Sequence, residues 1–268
     1  MSMNTDLLIE QAADLISRAQ TVTALTGAGL STPSGVPDFR SPREGLWEDV
    51  DVMEIATIYA FRHKPRAFYN WLRPLLATVL HAQPNAAHLA LADLERQGAL
   101  TDLITQNIDL LHTKAGSVAV YEVHGHLRDI VCIACHYIAP AAPYFHAFMA
   151  QDVLPVCPRC HHVMKPTVTL FGELLPRQAM KAAQQATERC GLMLVAGTSL
   201  EVEPVGDLPL AATQHGARLI IVNRMPTPAD DRADVIIRGD VAEVLPRLAA
   251  CVRERRDQGR VAPGPGEE

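Results

Sequence analysis

Six short apolar runs punctuate the chain: TVTALT (21–26), TDLIT (101–105), VAVYEV (118–123), LMLVAG (192–197), RLIIVN (218–223) and DVIIRG (234–239). They are rich in Val, Ile and Leu and nearly free of the polar alternation that marks a strand with one wet face, so they predict strands buried on both sides. Segments such as DLLIEQAADLISRAQ (6–20) and PNAAHLALADLERQG (84–98) carry the helical period instead. Strand and helix patterns in alternation predict an α/β fold, a parallel sheet covered by helices on both faces. Two stretches break the rhythm. Residues 41–83 gather Trp47, Tyr59, Phe61, Phe68, Tyr69 and Trp71 in a weakly helical pattern and read as a helical insert or lid. Residues 127–168 contain several prolines and little periodicity, and read as a small module that needs a staple, because so few residues bury little core. The charged, Pro/Gly-rich end RERRDQGRVAPGPGEE (253–268) reads as a flexible tail.

With 268 residues and 48% hydrophobic content, the chain can form one large domain carrying a smaller one. A net charge of −6 lacks the basic footprint of a nucleic-acid binder. No export signal or membrane-length apolar run stands out, so a cytoplasmic protein is expected. Six cysteines then change the picture. Four form two CxxC pairs, Cys132/Cys135 and Cys157/Cys160, with 21 residues between the pairs. Thiols in a reducing compartment favour a metal over disulfides, and four thiolates close a tetrahedral zinc site completely, leaving no position for water or substrate. A structural zinc is therefore expected. A redox dithiol or an iron–sulfur cluster is the alternative, and His136, His161 and His162 adjoin the cysteines as possible substitutes. Cys190 and Cys251, in apolar surroundings, read as small core residues.

In an open parallel sheet, ligands bind beyond the carboxyl ends of the strands. Here those ends are polar: Gly27-Ala28-Gly29-Leu30-Ser31-Thr32, Gln106-Asn107-Ile108-Asp109, His124-Gly125, Gly197-Thr198-Ser199 and Asn223. Glycines after the first run permit a tight turn near a phosphate, with the next helix offering free N–H groups. The run departs from the usual dinucleotide fingerprint, since Thr32 stands at the third glycine position and no acidic residue ends a second strand about 20 residues on. An ordinary NAD dehydrogenase is thereby disfavoured. Five polar ends on one edge suit a ligand the size of a dinucleotide. The excursion Ser34-Gly35-Val36-Pro37-Asp38-Phe39-Arg40 adds an aromatic ring and a cation to that edge.

GAGLSTPSGVPDFR (27–40), TQNID (105–109), HG (124–125), the CxxC pairs, FGELLP (171–176), GTSLEVEP (197–204) and VN (222–223) together resemble the sirtuin motif set in order and spacing. The resemblance runs from about residue 8 to 250. It implies a Rossmann-like NAD-binding domain (1–40, 84–126 and 169–252), the helical insert (41–83), a small zinc-binding domain (127–168) and the flexible tail (253–268). It also implies the activity of an NAD-dependent protein-lysine deacylase, passing the acyl group to ADP-ribose and releasing nicotinamide and free lysine. In the family pattern His124 is the general base and Asn107 orients the nicotinamide ribose. Ala28, Thr32, Phe39 and Arg40 match cofactor-loop contacts, and Ile108 and Asp109 the nicotinamide pocket. Gln106, Thr198, Ser199, Asn223 and Val241 match contacts with ribose and adenine. Val168 and Phe171 match the acyl-lysine tunnel, and Gly172-Glu173-Leu174 with Val202-Glu203-Pro204 the backbone that takes an acylated peptide as an added strand. Family members that prefer succinyl or malonyl groups carry Tyr-x-x-Arg in the insert. Here Tyr69 is followed at that spacing by Leu72, with Arg73 one position late, so acetyl and other neutral acyl groups are expected.

Overall fold

The computed structural model describes residues 3–38 and 52–261. In chain order its strands are β1 (Val22–Thr26), β2 (Asp102–Thr105), β3 (Val120–Glu122), β4 (Asp129–Cys132), β5 (Ile138–Pro140), β6 (Met164–Pro166), β7 (Leu192–Ala196), β8 (Arg218–Val222) and β9 (Val235–Ile237). Its α-helices are α1 (Met3–Arg18), α2 (Val52–Ile55), α3 (Ile58–His63), α4 (Pro65–His81), α5 (Ala86–Arg96), α6 (Leu111–Ala115), α7 (Ala142–Gln151), α8 (Arg177–Arg189), α9 (Leu208–Gln214) and α10 (Val241–Val261).

All six expected strands form, within two residues of their sequence bounds, and assemble in the order β3-β2-β1-β7-β8-β9. Every pairing in this sheet is parallel. The unbroken apolar runs follow from burial on two sides. Val22 and Ala24 of β1 face one core with Leu103, Leu192, Leu194, Ile220 and Val222. Leu25 faces the opposite core with Ile104, Met193, Val195, Leu219 and Ile221, as the two-residue period of a strand requires. Helices α1, α5 and α10 cover the first face. In α1 the buried residues Ile9, Ala12, Ala13 and Ile16 fall on one helical stripe.

The register levels the strand ends that matter. Thr26 pairs with both Thr105 and Ala196, Ala196 with Val222, and Thr105 with Glu122. The residues that follow these positions therefore emerge at one edge. The chain leaves β1 toward β2 and β3, then returns to the other side of β1 as β7. The strand order reverses between β1 and β7, where a crevice opens in such sheets.

Residues 127–168 are more regular than their composition suggests. They form an antiparallel sheet, β5-β4-β6, and the ten-residue helix α7. The aromatic stretch expected as a helical insert or lid forms α2, α3 and α4, with Trp47 outside the described residues, and its rings are mostly interior: Phe61, Phe68 and Tyr69 are at most 1% exposed and share one core with Phe145, Phe148, Cys132, Cys157 and Met164 of that module. Tyr69 Oη donates to the Met164 carbonyl at 2.6 Å, and its ring lies 5.2 Å from Phe148. Insert and metal module stabilise each other, which two separate sequence windows could not reveal. Residues 253–261, expected within the flexible tail, continue α10 instead. The apolar stripe Val244, Leu245, Leu248, Ala249 and Val252 anchors that helix, and Arg253 and Arg255 pair with Asp93 and Glu10. Among the described residues no helix is long and apolar enough to cross a membrane.

Candidate active site and metal centre

The levelled strand ends open onto a cavity of about 1180 Å³. One wall comes from the ends of β1, β2, β7 and β8. The facing wall carries Phe68, Trp71, Leu72 and Leu75 of α4 with Val168, Leu170 and Phe171. The β1 and β7 loops meet with almost no room between them. A Cβ on Gly29 would lie 2.9 Å from the Gly197 carbonyl oxygen, and one on Gly197 would lie 2.4 Å from the Leu30 nitrogen. These glycines serve loop-to-loop contact as much as any approach of a ligand. No α-helix directly follows β1; two 3-10 turns, Ala28–Leu30 and Thr32–Ser34, stand there. The first N–H groups of such a turn have no partner within it, so Ala28 and Gly29 at the cavity offer the anion-binding donors that the sequence placed on a helix.

His124 lies at the cavity, half-buried, with Nδ1 3.1 Å from the Gln106 carbonyl oxygen. A carbonyl only accepts, so Nδ1 carries the proton and the Nε2 lone pair is left as a base. Burial lowers its pKa below 6.5, opposed by this hydrogen bond, so the imidazole is neutral at pH 7. Gln106 reaches the other way as well, donating from Nε2 to Thr198 Oγ1 at 2.9 Å. Adjacent strand ends are thus tied together.

Asn107 is buried, and its Nδ2 donates to the Gly27 carbonyl and to Ser31 Oγ, both at 3.0 Å. With both amide protons spent on the protein, Oδ1 is the atom left for a ligand. Ser31 Oγ in turn donates to Asp109 Oδ2 at 2.7 Å, and Asp109 Oδ1 accepts from the Leu111 N–H at 2.9 Å. Burial raises the Asp109 pKa while these bonds hold it down. Asp109, expected in the nicotinamide pocket, is buried directly behind the cavity-lining residues, and its carboxylate bonds the same Ser31 Oγ that Asn107 does.

The network extends to residues that sequence reading passed over. His88 on α5 lies 3.4 Å from Ser31 Oγ, and His112 Nε2 lies 2.9 Å from Thr26 Oγ1. Their rings sit 4.9 Å apart edge to face. Burial lowers the His88 pKa to about 4, and burial with its histidine neighbour lowers that of His112, so both stay neutral. The available signal was weak: a histidine on the apolar stripe of AAHLALADL and another just after the NID run.

Of the other expected residues, Ala28, Thr32, Ile108, Thr198, Ser199, Asn223 and Val241 line the cavity, as do Val168, Phe171, Gly172, Glu173, Val202 and Glu203. Phe39 and Arg40 lie outside the described residues. Asn223 Nδ2 donates to the Met225 carbonyl at 2.8 Å, again leaving its Oδ1 for a ligand. Val241 stands at the start of α10, whose Ala242 N–H is capped by Asp240 Oδ1 at 2.8 Å. Arg73 does not contribute to the cavity. It pairs with Asp152 and stacks over the Phe148 ring at 4.1 Å.

The four CxxC cysteines present sulfurs all within 4.8 Å of one another, with Cys132–Cys160 at 3.4 Å and Cys135–Cys157 at 3.5 Å. A tetrahedral zinc with bonds of about 2.3 Å needs sulfurs roughly 3.8 Å apart, so the cluster fits that ion. The two knuckles are built alike. His136 N–H bonds the Cys132 carbonyl and His161 N–H the Cys157 carbonyl, each histidine at φ 59. His136 and His161 thus close the two knuckles, and the metal-binding cluster found among the described residues holds cysteines alone, without His136, His161 or His162. None of the four lines the cavity. Cys190 is buried, as expected, and Cys251 half-buried.

A model of the Sir2 family matches residues 27–204. The NAD-dependent protein deacylase 2 of Archaeoglobus fulgidus is 39% identical over 93% of this chain and 98% of its own length. The NAD-dependent protein deacetylase 1 of Geobacillus kaustophilus is 41% identical over 87% and 94%. A solved Sir2 mutant with a deacetylated p53 peptide and 3'-O-acetyl ADP ribose superposes with a TM-score of 0.85, at 36% identity over 90% of this chain and 97% of that one.

Proposed function

This chain belongs to the Sir2 family, and on that premise we propose that His124 and Asn107 are the catalytic pair of an NAD-dependent protein-lysine deacylase. Bound NAD supplies an ADP-ribose acceptor for the acyl group, with nicotinamide as its leaving group. The observation that carries the residue assignment is the fixed tautomer of His124: with Nδ1–H held on Gln106, the neutral Nε2 takes a proton from a ribose hydroxyl. Asn107 Oδ1, locked by Gly27 and Ser31, accepts a hydrogen bond from the ribose or a water beside it. Such locked polar groups cost no reorganisation when the reaction occurs. Gln106, Thr198, Ser199, Asn223 and Val241 hold the rest of the dinucleotide, and Ala28 and Thr32 cover it from the β1 loop, where Phe39 and Arg40 belong to the same binding set.

The acyl-lysine enters between Val168 and Phe171 and the aromatic wall of α4. Phe171 donates its N–H to the Ala56 carbonyl and accepts from the Ile58 N–H, both at 3.0 Å. Its backbone is therefore spent, and Gly172 and Leu174 on one side with Val202 and Glu203 on the other pair with the peptide. Glu173 offers only its carbonyl, since its N–H bonds Leu170 O at 3.0 Å and its carboxylate turns inward to Lys165. An apolar tunnel with Arg73 held at Asp152 favours acetyl and other neutral acyl groups. The Cys132, Cys135, Cys157 and Cys160 thiolates would hold zinc, which fastens the module forming the far wall. Two CxxC pairs arranged as thiolate metal ligands suit a reducing compartment such as the cytoplasm.

The test is incubation with NAD and an acetyl-lysine peptide, followed by mass spectrometry for O-acetyl-ADP-ribose and nicotinamide. A negative result across an acyl panel refutes the reading.

A further inference from the structure

The loop that forms the acyl-lysine wall is organised by an ion pair between buried Lys165 and half-buried Glu173, whose side chains have no assigned part in the chemistry. Lys165 on β6 is 4% exposed. Its Nζ donates to the Pro166 carbonyl at 3.1 Å and to the Val168 carbonyl, and meets Glu173 Oε2 at 2.9 Å. The same Glu173 oxygen accepts from the Leu170 N–H at 2.9 Å. One ammonium and one carboxylate thus satisfy backbone groups of residues 166, 168 and 170, which a short irregular segment could not pair in a ladder. Between these anchors, Thr169 N–H bonds the His124 carbonyl at 2.8 Å, and Thr167 O stands where a Cβ on Gly125 would lie only 2.0 Å away. The path of this loop therefore sets both the tunnel residue Val168 and the backbone of the base.

An ion pair with a buried partner is by itself weak evidence for stability, because well-packed apolar residues of similar volume often do as well. What an apolar pair could not supply here is a partner for each of the three backbone groups. We propose that Lys165, through Glu173, is a positioning residue that holds residues 166–173 in the shape that binds acyl-lysine and seats His124. The inference rests on the deacylase reading.

Steady-state kinetics on Lys165→Met, Glu173→Gln and Lys165→Arg test it, with KM for an acetyl-lysine peptide and for NAD measured separately and peptide affinity followed by fluorescence anisotropy. Lys165→Met and Glu173→Gln should raise peptide KM and Kd about tenfold or more while NAD KM stays within about twofold. Lys165→Arg, which keeps the charge, should recover most of the loss. A merely structural pair would lower the active fraction and leave both KM values alone, and that result overturns the proposal. Should Lys165→Met fail to fold, the near-isosteric Glu173→Gln decides by the same KM comparison. Wild-type protein that neither binds nor turns over the peptide would sink the deacylase reading and this inference with it. Wild-type turnover with unchanged peptide KM in the variants would sink this inference alone.

Discussion

Gly125→Ala places the smallest side chain at the tightest contact behind the base. A Cβ there would lie 2.0 Å from Thr167 O and 3.0 Å from Val168 Cα, both backbone atoms that cannot turn aside. Relief requires the His124–Gly125 turn and the 167–169 segment to part by about 1 Å, a misplacement that can cost on the order of a hundredfold in rate. The residue also has φ +77, where an alanine costs roughly 1–2 kcal/mol. Separation would stretch the Thr169-to-His124 hydrogen bond of 2.8 Å, worth about 1 kcal/mol net. A stability loss of about 2–3 kcal/mol and a fall in kcat of about a hundredfold are expected. The assay is deacylation kinetics beside thermal unfolding, with circular dichroism to show that the six-stranded sheet persists. Turnover within twofold of wild type would refute the reasoning, because the geometry leaves no way to accept the methyl group in place.

The base assignment predicts a pH profile. Because burial lowers the His124 pKa, the neutral form persists below pH 6.5, so kcat/KM should stay level from neutral pH and fall only as pH drops through that lowered value. His124→Ala should reduce turnover by about 10²–10⁴-fold with the melting temperature little changed, and an active variant would disprove the role. Removal of one zinc per chain with a thiol reagent should abolish the near-ultraviolet signal of the Tyr69–Phe148 core while the large sheet keeps its far-ultraviolet spectrum. Retention of that aromatic signal would count against a structural metal. A succinyl-lysine peptide should react at least about tenfold more slowly than its acetyl counterpart, since Arg73 is committed to Asp152 and Phe148; equal rates would show that another cation meets the carboxylate.

The six strands of the parallel sheet, the helices α1 and α5 and the four-cysteine cluster were legible because each is written in local periodicity or spacing. Val22 to Thr26 must be buried on both sides whatever lies above and below, and two CxxC pairs select a thiolate metal by their chemistry alone. The family resemblance then pointed to His124 and Asn107, which line one cavity. Sequence did not show that the aromatic residues of α3 and α4 share a core with the metal module, or that Asp109 is bonded to Ser31. Nor did it show that α10 runs on to Val261. Each of these depends on contacts between segments far apart in the chain: Tyr69 with Met164, Ser31 with Asp109, Arg253 with Asp93. The sequence by itself determined which polar residues follow the strand ends and are candidates for chemistry. Only the tertiary structure decided which of their atoms remain available for it, because a hydrogen-bonding group spent on a distant backbone cannot also meet a ligand.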